Sequence, residues 1–351
     1  MNGPPPRDVP DRVERAADRL ESLLPGRVRR EVPFAELTTY RLGGPAAVLV
    51  KVGTAPEVAA LARGIPPGVP VLVVGRGSNL VVADEGFAGV AVVLDGELAE
   101  FRVEDATVRA GGGLALPVLA RRSAGAGLAG LEFFVGIPGS VGGAVRMNAG
   151  GHGRETVEVL RRVWLADLAA EGEVEERAVG DLGLGYRRSL VLPSQVVLAA
   201  EFRVGSDDAA ACEARIDEVV RWRRANQPGG SNAGSVFTNP PGDSAGRLID
   251  ACGLKGLTVG GVRVSERHAN FFQAEPGARA GDVVSLVAEV ARRVEEETGV
   301  RLVPELRRIG FAGEPGARPG APPAWPGEGH AWSGDRPDSL GTPRAPGGAA
   351  A

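Results

Sequence analysis

Between Leu128 and Gly153 the chain follows neither the helical nor the strand period. Glycines stand at 136, 139, 142, 143 and 150, directly after the apolar run Leu131-Glu132-Phe133-Phe134. So apolar a stretch is no solvated linker. Its glycines also weaken any helix or strand, because glycine loses more backbone freedom on ordering than any other residue. A main chain that lies flat against a ligand satisfies both constraints. Whatever this sequence folds into must build its regular elements around that segment.

Regular patterns flank it on both sides. Ala46–Val52 reads as a strand, Ala55–Arg63 as a short helix and Val69–Val74 as an apolar strand, a compact βαβ unit. Further strands are expected at Val90–Leu94, Glu100–Val103 and Thr107–Ala110, and a helix over Leu114–Gly125. Beyond the glycine segment, strands are expected at Val159–Asp167, Val174–Val179 and Gln195–Val204. A helix over about 208–225 places Cys212, Ile216, Val219 and Val220 on one face, with Ser206 or Asp207 as its N-cap. A last helix over 281–298 carries the stripe Val283, Val287, Val290 and Val294, ends at Gly299, and is followed by a strand-like Val300–Val303. The pattern suggests a second block beginning near Val157 and a third over roughly 230–310. Residues 1–32 read as a flexible charged leader with a short helix at Asp11–Leu24. Residues 312–351 hold 8 Pro and 9 Gly without apolar periodicity, the composition of a disordered tail.

Composition narrows the function class. A net charge of -4, with 43% hydrophobic and 24% charged residues of interspersed sign, points to neither nucleic acid nor membrane as partner. No obligate protein partner is evident. No run of 18 apolar residues spans a bilayer and no apolar core marks a secretion signal, so a cytoplasmic protein is expected. Cys212 and Cys252 form no CxxC, and His152, His268 and His330 are scattered, so no metal site is expected. Only two of the 40 basic residues, Lys51 and Lys255, are lysines.

A second glycine loop, Gly75-Arg76-Gly77-Ser78-Asn79-Leu80, follows an apolar strand. Successive N–H groups in such a turn form an anion-binding concavity suited to a pyrophosphate. Taken alone, a structural turn is the better reading, because short motifs recur by chance. The spacing is not GxGxxG and no helix clearly follows, which disfavours a Rossmann site. Two glycine loops about 60 residues apart suit the two halves of a dinucleotide.

The run from Gly127 to Gly150 strongly resembles the UDP-N-acetylenolpyruvoylglucosamine reductase (MurB) family. Four other segments share the likeness: Thr38-Thr39-Tyr40-Arg41-Leu42-Gly43-Gly44-Pro45, Gly185-Tyr186-Arg187-Arg188-Ser189, Gly234-Ser235-Val236-Phe237-Thr238-Asn239-Pro240 and Pro304-Glu305-Leu306-Arg307. With the first glycine loop, the motifs span about 34–310 in order. The resemblance implies an α+β fold: an FAD-binding domain of the vanillyl-alcohol oxidase type over 33–225, made of two α+β lobes of about 33–98 and 99–225, followed by a C-terminal substrate domain over 226–311. It implies NADPH as electron donor and reduction of UDP-N-acetylenolpyruvoylglucosamine to UDP-N-acetylmuramate for peptidoglycan synthesis. FAD is expected to bind without a covalent link, since the first loop ends in Ser78-Asn79 and offers no histidine for attachment.

By the same resemblance Ser235 is the proton donor, with Arg187 and Glu305 at the other two catalytic positions. From the residues alone, Arg187 reads as a surface arginine in a polar turn and Glu305 as a solvated carboxylate. The expected cofactor residues are Gly75, Arg76, Gly77, Ser78, Asn79, Leu80, Gly136, Ile137, Pro138, Gly139, Ser140, Gly142, Gly143, Ala144, Asn148 and Arg307. The expected substrate residues are Tyr186, Asn239, Lys255 and His268, the last reading equally as a core or surface histidine. Arg223 is a further candidate partner of flavin or substrate. Only 48 positions separate Arg187 from Ser235, which predicts the short form of the family without an inserted tyrosine flap. Two positions depart from the family pattern: Arg76, where glycine is common, and Thr238, where lysine is common. Without that lysine, the charge near Ser235 is expected from Arg187 or Lys255. Rival readings are another FAD oxidoreductase of the superfamily, acting on a sugar acid or lactone, and an inactive flavin-binding relative. All three catalytic types are present, which argues against both.

Overall fold

The structure is a computed structural model in which residues 9–104 and 106–318 are described. The first lobe consists of α1 (Val9–Leu23), β1 (Val28–Pro33), β2 (Pro45–Val52), α2 (Ala55–Gly64), β3 (Val71–Val74), β4 (Leu80–Val82) and β5 (Phe87–Leu94). Its four-stranded sheet has the order β1-β2-β5-β3, with β2 and β3 each parallel to β5. Parallel pairing needs a crossover, and α2 supplies it, as the βαβ pattern predicts. A capping box starts α2: Thr54 Oγ1 accepts from Glu57 N, and the Glu57 carboxylate accepts from Thr54 N.

The expected flexible leader is not found over residues 9–32. Val13, Ala16, Ala17, Leu20 and Leu24 recur at helical spacing, and all are buried in one core with Leu61 of α2 and Val50 of β2. The strand β1 then pairs antiparallel with β2. The charged residues that suggested a leader form the outer face of a packed helix. Residues 1–8 lie outside the described residues.

The second lobe contains β6 (Phe101–Glu104), β7 (Thr107–Gly111), α3 (Leu116–Gly125), α4 (Val141–Met147), β8 (Leu160–Asp167), β9 (Val174–Ala178), β10 (Gln195–Arg203) and α5 (Ala209–Asn226). Its five strands are antiparallel throughout, in the order β9-β8-β10-β7-β6. The carboxylate of Asp208, one residue beyond the expected caps, accepts from Ala211 N and starts α5. Helix α4 was not expected inside the glycine segment. Ser140 Oγ caps it by accepting from Gly143 N, and Gly142 lets it approach the sheet: a Cβ there would stand 3.2 Å from the Gly112 carbonyl.

The third block has α6 (Ala245–Ala251), a meander of β11 (Thr258–Val259), β12 (Val262–Val264) and β13 (Phe272–Ala274), helix α7 (Ala280–Thr298) and β14 (Arg307–Ile309). Val283, Val287, Val290 and Val294 of α7 are buried with Leu248, Ile249 and Phe272, as their spacing predicts. Gly299 ends α7 at φ 70°, in the left-handed region. The expected strand at 300–303 does not form. Val303 instead offers its carbonyl to Thr238 N at 2.9 Å, and the next strand is β14. That strand lies parallel to β4 of the first lobe, Arg307 opposite Leu80. Tyr40, Leu42, Val81 and Ala83 share the core of α7, so the third block and first lobe are packed as one body.

The expected disordered tail also needs correction at its start. Ala88 N donates to Gly316 O at 2.7 Å, and Arg318 pairs with Glu31 at 2.8 Å, which ties residues 312–318 to the first lobe. Residues 319–351 lie outside the described residues. Among the described residues no helix is long and apolar enough to cross a membrane.

Candidate active site

The strand β3 runs into the first glycine loop. Gly77 sits at φ +60°, and a Cβ there would collide with the Leu37 carbonyl. Thr39 N donates to Gly77 O, so the Thr38–Pro45 motif is the bed on which this loop lies. The N–H groups of Arg76, Gly77 and Ser78 donate to no acceptor among the described residues. Thr39 Oγ1 and Tyr40 Oη, buried in the bed itself, likewise have no partner. Successive N–H groups left open in a turn form a concavity suited to an anion, so this turn fits a polar ligand such as the phosphates of a dinucleotide. The two glycine loops touch at Gly75, where a Cβ would run into Ser140 Oγ.

One cleft lies between them. Gly75, Arg76, Gly77, Ser78, Asn79 and Leu80 line one wall, and Gly136, Ile137, Pro138, Gly139, Ser140, Gly143 and Ala144 line the other. Ser235 and Phe271 of the third block face it, and Arg187, Glu305 and Arg307 line it too. Two expected cofactor residues do not line it. Gly142 is the packing contact of α4 described above. Asn148 is fully buried at φ 42°; its amide nitrogen donates to Glu155 and to Gly185 O, and its amide oxygen accepts from Val157 N. Every polar group of that side chain is used within the protein.

The three expected catalytic residues converge. Ser235 lies on an extended segment bridged to Phe271. Asn270, buried beside it, clamps the segment: its backbone carbonyl accepts from Val236 N, its side-chain oxygen accepts from Phe237 N, and its amide donates to Phe237 O, all at 2.8–2.9 Å. Glu305 N donates to Val236 O at 2.7 Å, which sets the carboxylate next to the Ser235 segment. Arg187 Nε lies 2.9 Å from Glu305 Oε1. Burial pushes the Glu305 carboxyl above the usual carboxylate range, and Arg187 opposes that shift.

The four expected substrate residues stand outside the cleft lining. Tyr186 Oη, half exposed, accepts from Asn239 N at 3.5 Å, and Asn239 Oδ1 accepts from Ala245 N at the start of α6. Lys255 pairs with Asp250 at 2.7 Å. The His268 ring packs edge-on against Phe271, 4.8 Å between centroids, and burial pushes its pKa down. Thr238 directs both N and Oγ1 to Val303 O. Of the two cations expected to replace the missing lysine, only Arg187 lines the cleft.

Several lining residues were not among the expected site residues. Arg146, on α4, donates to Val191 O at 2.7 Å; burial, then repulsion from Arg307, lowers its pKa to about 10. Gln227, Asn232, Ala233 and Gly234 bring the loop after α5 to the cleft, and that loop carries no tyrosine. Asn270 had no signal beyond being a polar residue in the apolar run Ala269-Asn270-Phe271-Phe272.

Comparison with known proteins gives this arrangement a family. Residues 46–176 match the FAD binding domain, and residues 226–309 match the UDP-N-acetylenolpyruvoylglucosamine reductase C-terminal domain. UDP-N-acetylenolpyruvoylglucosamine reductase 2 of Symbiobacterium thermophilum is 43% identical over 299 residues, 84% of this chain and 96% of that protein. The reductase of Acidiphilium cryptum is 42% identical over 287 residues, 82% of this chain and 92% of its own. The crystal structure of the Thermus caldophilus reductase is 39% identical and superposes with a TM-score of 0.71 over 81% of this chain and 99% of that one. With relatives 42% and 43% identical over most of its length, the chain belongs to the UDP-N-acetylenolpyruvoylglucosamine reductase family.

Proposed function

We propose that this chain reduces the enolpyruvyl group of UDP-N-acetylenolpyruvoylglucosamine to give UDP-N-acetylmuramate, using FAD and NADPH, in the cytoplasmic synthesis of peptidoglycan precursors. The observation that carries this reading is the convergence of Arg187, Ser235 and Glu305 on a cleft walled by both glycine loops. In the proposal, the lobes up to about residue 225 hold the cofactor, with Gly75–Leu80 on the phosphates and Gly136–Ala144 along the opposite wall. Residues 226–311 present the substrate.

FAD, when bound, carries the two electrons from NADPH to the vinyl carbon of the substrate. The neighbouring carbon then bears negative charge conjugated with a carboxylate. Arg187 supplies a fixed guanidinium where that charge develops, the arrangement that lowers a barrier most when water is excluded. Glu305 holds the guanidinium fork through a charge-assisted bond at 2.9 Å. Ser235 gives its hydroxyl proton to the carbon, completing addition of hydride and proton across the double bond. Its hydroxyl is a weak acid, so the alkoxide left behind needs the cation in the same cleft. Water exclusion then falls to movement of the third block or to the loop at 226–234, which lines the cleft through Gln227, Asn232, Ala233 and Gly234.

The test is spectroscopic. The purified protein should be yellow, and acid precipitation should release the flavin to the supernatant. Anaerobic NADPH should bleach the colour, and the enolpyruvyl substrate should restore it. Reduced flavin that ignores this substrate yet reacts readily with oxygen would return the assignment to another oxidoreductase.

A further inference from the structure

Arg187 sits at φ +56°, in the left-handed region. For a residue other than glycine that backbone costs about 1–2 kcal/mol and persists only where its surroundings over-determine it. The turn that carries it is closed on itself, Gly185 N to Arg188 O and Arg188 N to Gly185 O, both 3.1 Å. Neither bond fixes the turn relative to the cleft. Two side chains do. Before Arg187, the amide of Asn148 donates to Gly185 O at 3.2 Å. After it, Ser189 Oγ donates to the Arg146 carbonyl at 2.7 Å and accepts from Val191 N at 3.3 Å. Both anchors end on the same element: Arg146 lies in α4, and Asn148 is its left-handed C-cap.

We propose that Asn148 and Ser189 are positioning residues for Arg187: they fasten both ends of its turn to α4, and so hold the guanidinium against Glu305. The proposal rests on the functional reading above and adds two residues to which that reading gives no part. Neither lines the cleft, so neither acts by touching a ligand. Helix α4 is a sound reference, since Ala144 and Val145 are buried in the second lobe and Gly143, Ala144 and Met147 form part of the cleft wall. One short helix thus sets the register between the cofactor wall and the charged end of the site. Asn148 is the stiffer anchor, fully buried and bonded to Glu155, Gly185 and Val157 at once.

The test uses Ser189→Ala in the full-length flavoprotein, with Ser189→Thr as the variant that keeps the hydroxyl. Flavin content and the rate of reduction by NADPH should match wild type. Reoxidation by the enolpyruvyl substrate should slow about 10-fold or more, the scale of a misplaced group in a preorganised site. Its acid limb should move to higher pH, because burial already pushes the Glu305 carboxyl up and Arg187 is what opposes it. Ser189→Thr should restore both rate and limb. Asn148→Gly keeps the left-handed backbone while deleting the amide, and should reproduce the pattern. A Ser189→Ala protein with the wild-type rate and acid limb overturns the proposal. So does one that slows both half-reactions equally while its Tm falls, which makes the bond a fold contact only. Should wild type itself fail to reoxidise, the functional reading falls. The Arg187–Glu305 separation in a crystal of Ser189→Ala then decides the positioning role, an unchanged 2.9 Å counting against it.

Discussion

Replacing Ser235 with alanine removes a hydroxyl that makes no hydrogen bond to any described residue, while the backbone beneath it stays held by the Phe271 bridge and the Asn270 clamp. No buried partner is left unsatisfied and no cavity larger than one oxygen opens. The cost to folding should therefore stay within about 0.5 kcal/mol, the range of substitutions that break no specific contact. Catalysis should respond very differently. A positioned acid contributes about 10²–10⁴-fold, or about 3–5 kcal/mol of barrier at 1.36 kcal/mol per decade. That loss should fall wholly on the second half-reaction, because flavin reduction by NADPH needs no proton from serine. Anaerobic stopped-flow at the flavin absorbance separates the two steps. Ser235→Ala should bleach with NADPH at close to the wild-type rate and regain colour very slowly, while Ser235→Cys, whose thiol is the stronger acid, should keep part of the activity. Reoxidation at the wild-type rate in Ser235→Ala would refute the proton-donor assignment. Loss confined to flavin reduction would move the serine to nicotinamide binding.

Glu305→Gln should abolish most turnover yet raise Tm at neutral pH. A carboxyl whose folded pKa lies above its unfolded value destabilises the fold as pH rises through the unfolded value, so the gain should vanish in melts below about pH 4.5. Asn270→Ala deletes two buried side-chain hydrogen bonds and strands Phe237 N and O, which should lower stability by about 2–4 kcal/mol in urea unfolding; a change under 1 kcal/mol would mean the Ser235 segment holds itself. A chain ended after Ala312 should melt below one ended after Arg318, since only the longer keeps the Gly316 bond and the Arg318–Glu31 pair; equal Tm values would show those contacts to be incidental.

Much of the fold was legible because period and caps act locally. The βαβ unit of the first lobe and the valine stripe of α7 were read from neighbouring residues. Helix α4 was not, because glycine and serine look like a loop until Ser140 caps the turn and Gly142 meets the Gly112 carbonyl, 30 residues upstream. Helix α1 was read at Asp11–Leu24, but its many charges hid that it packs, although Val13, Ala16, Ala17 and Leu20 already marked a buried stripe. The pairing of β14 with β4 joins residues more than 220 apart, and no local pattern encodes it. In the site, residue chemistry alone gave one loop suited to a pyrophosphate but better read as a structural turn, one segment suited to a flat ligand, and bland readings of Arg187 and Glu305; the family resemblance supplied their roles. It also placed Asn148 among the cofactor residues, where the fold gives it backbone partners, because a motif residue can serve the main chain as readily as a ligand.

The β14–β4 pairing has a consequence for synthesis on the ribosome. Asn79 donates its side-chain amide to Glu305 O and accepts from Arg307 N at 2.9 Å, so the first glycine loop is buttressed by residues translated more than 200 codons later. Both lobes of the cofactor half can leave the exit tunnel with their own sheets formed while that loop still lacks its support. Arg187 has no Glu305 to meet until the third block has emerged. A nascent chain stalled before residue 309 therefore holds the proposed flavin site without its closing strand. Cofactor capture should wait until residue 309 has emerged, since the last strand among the described residues supports a loop made far earlier.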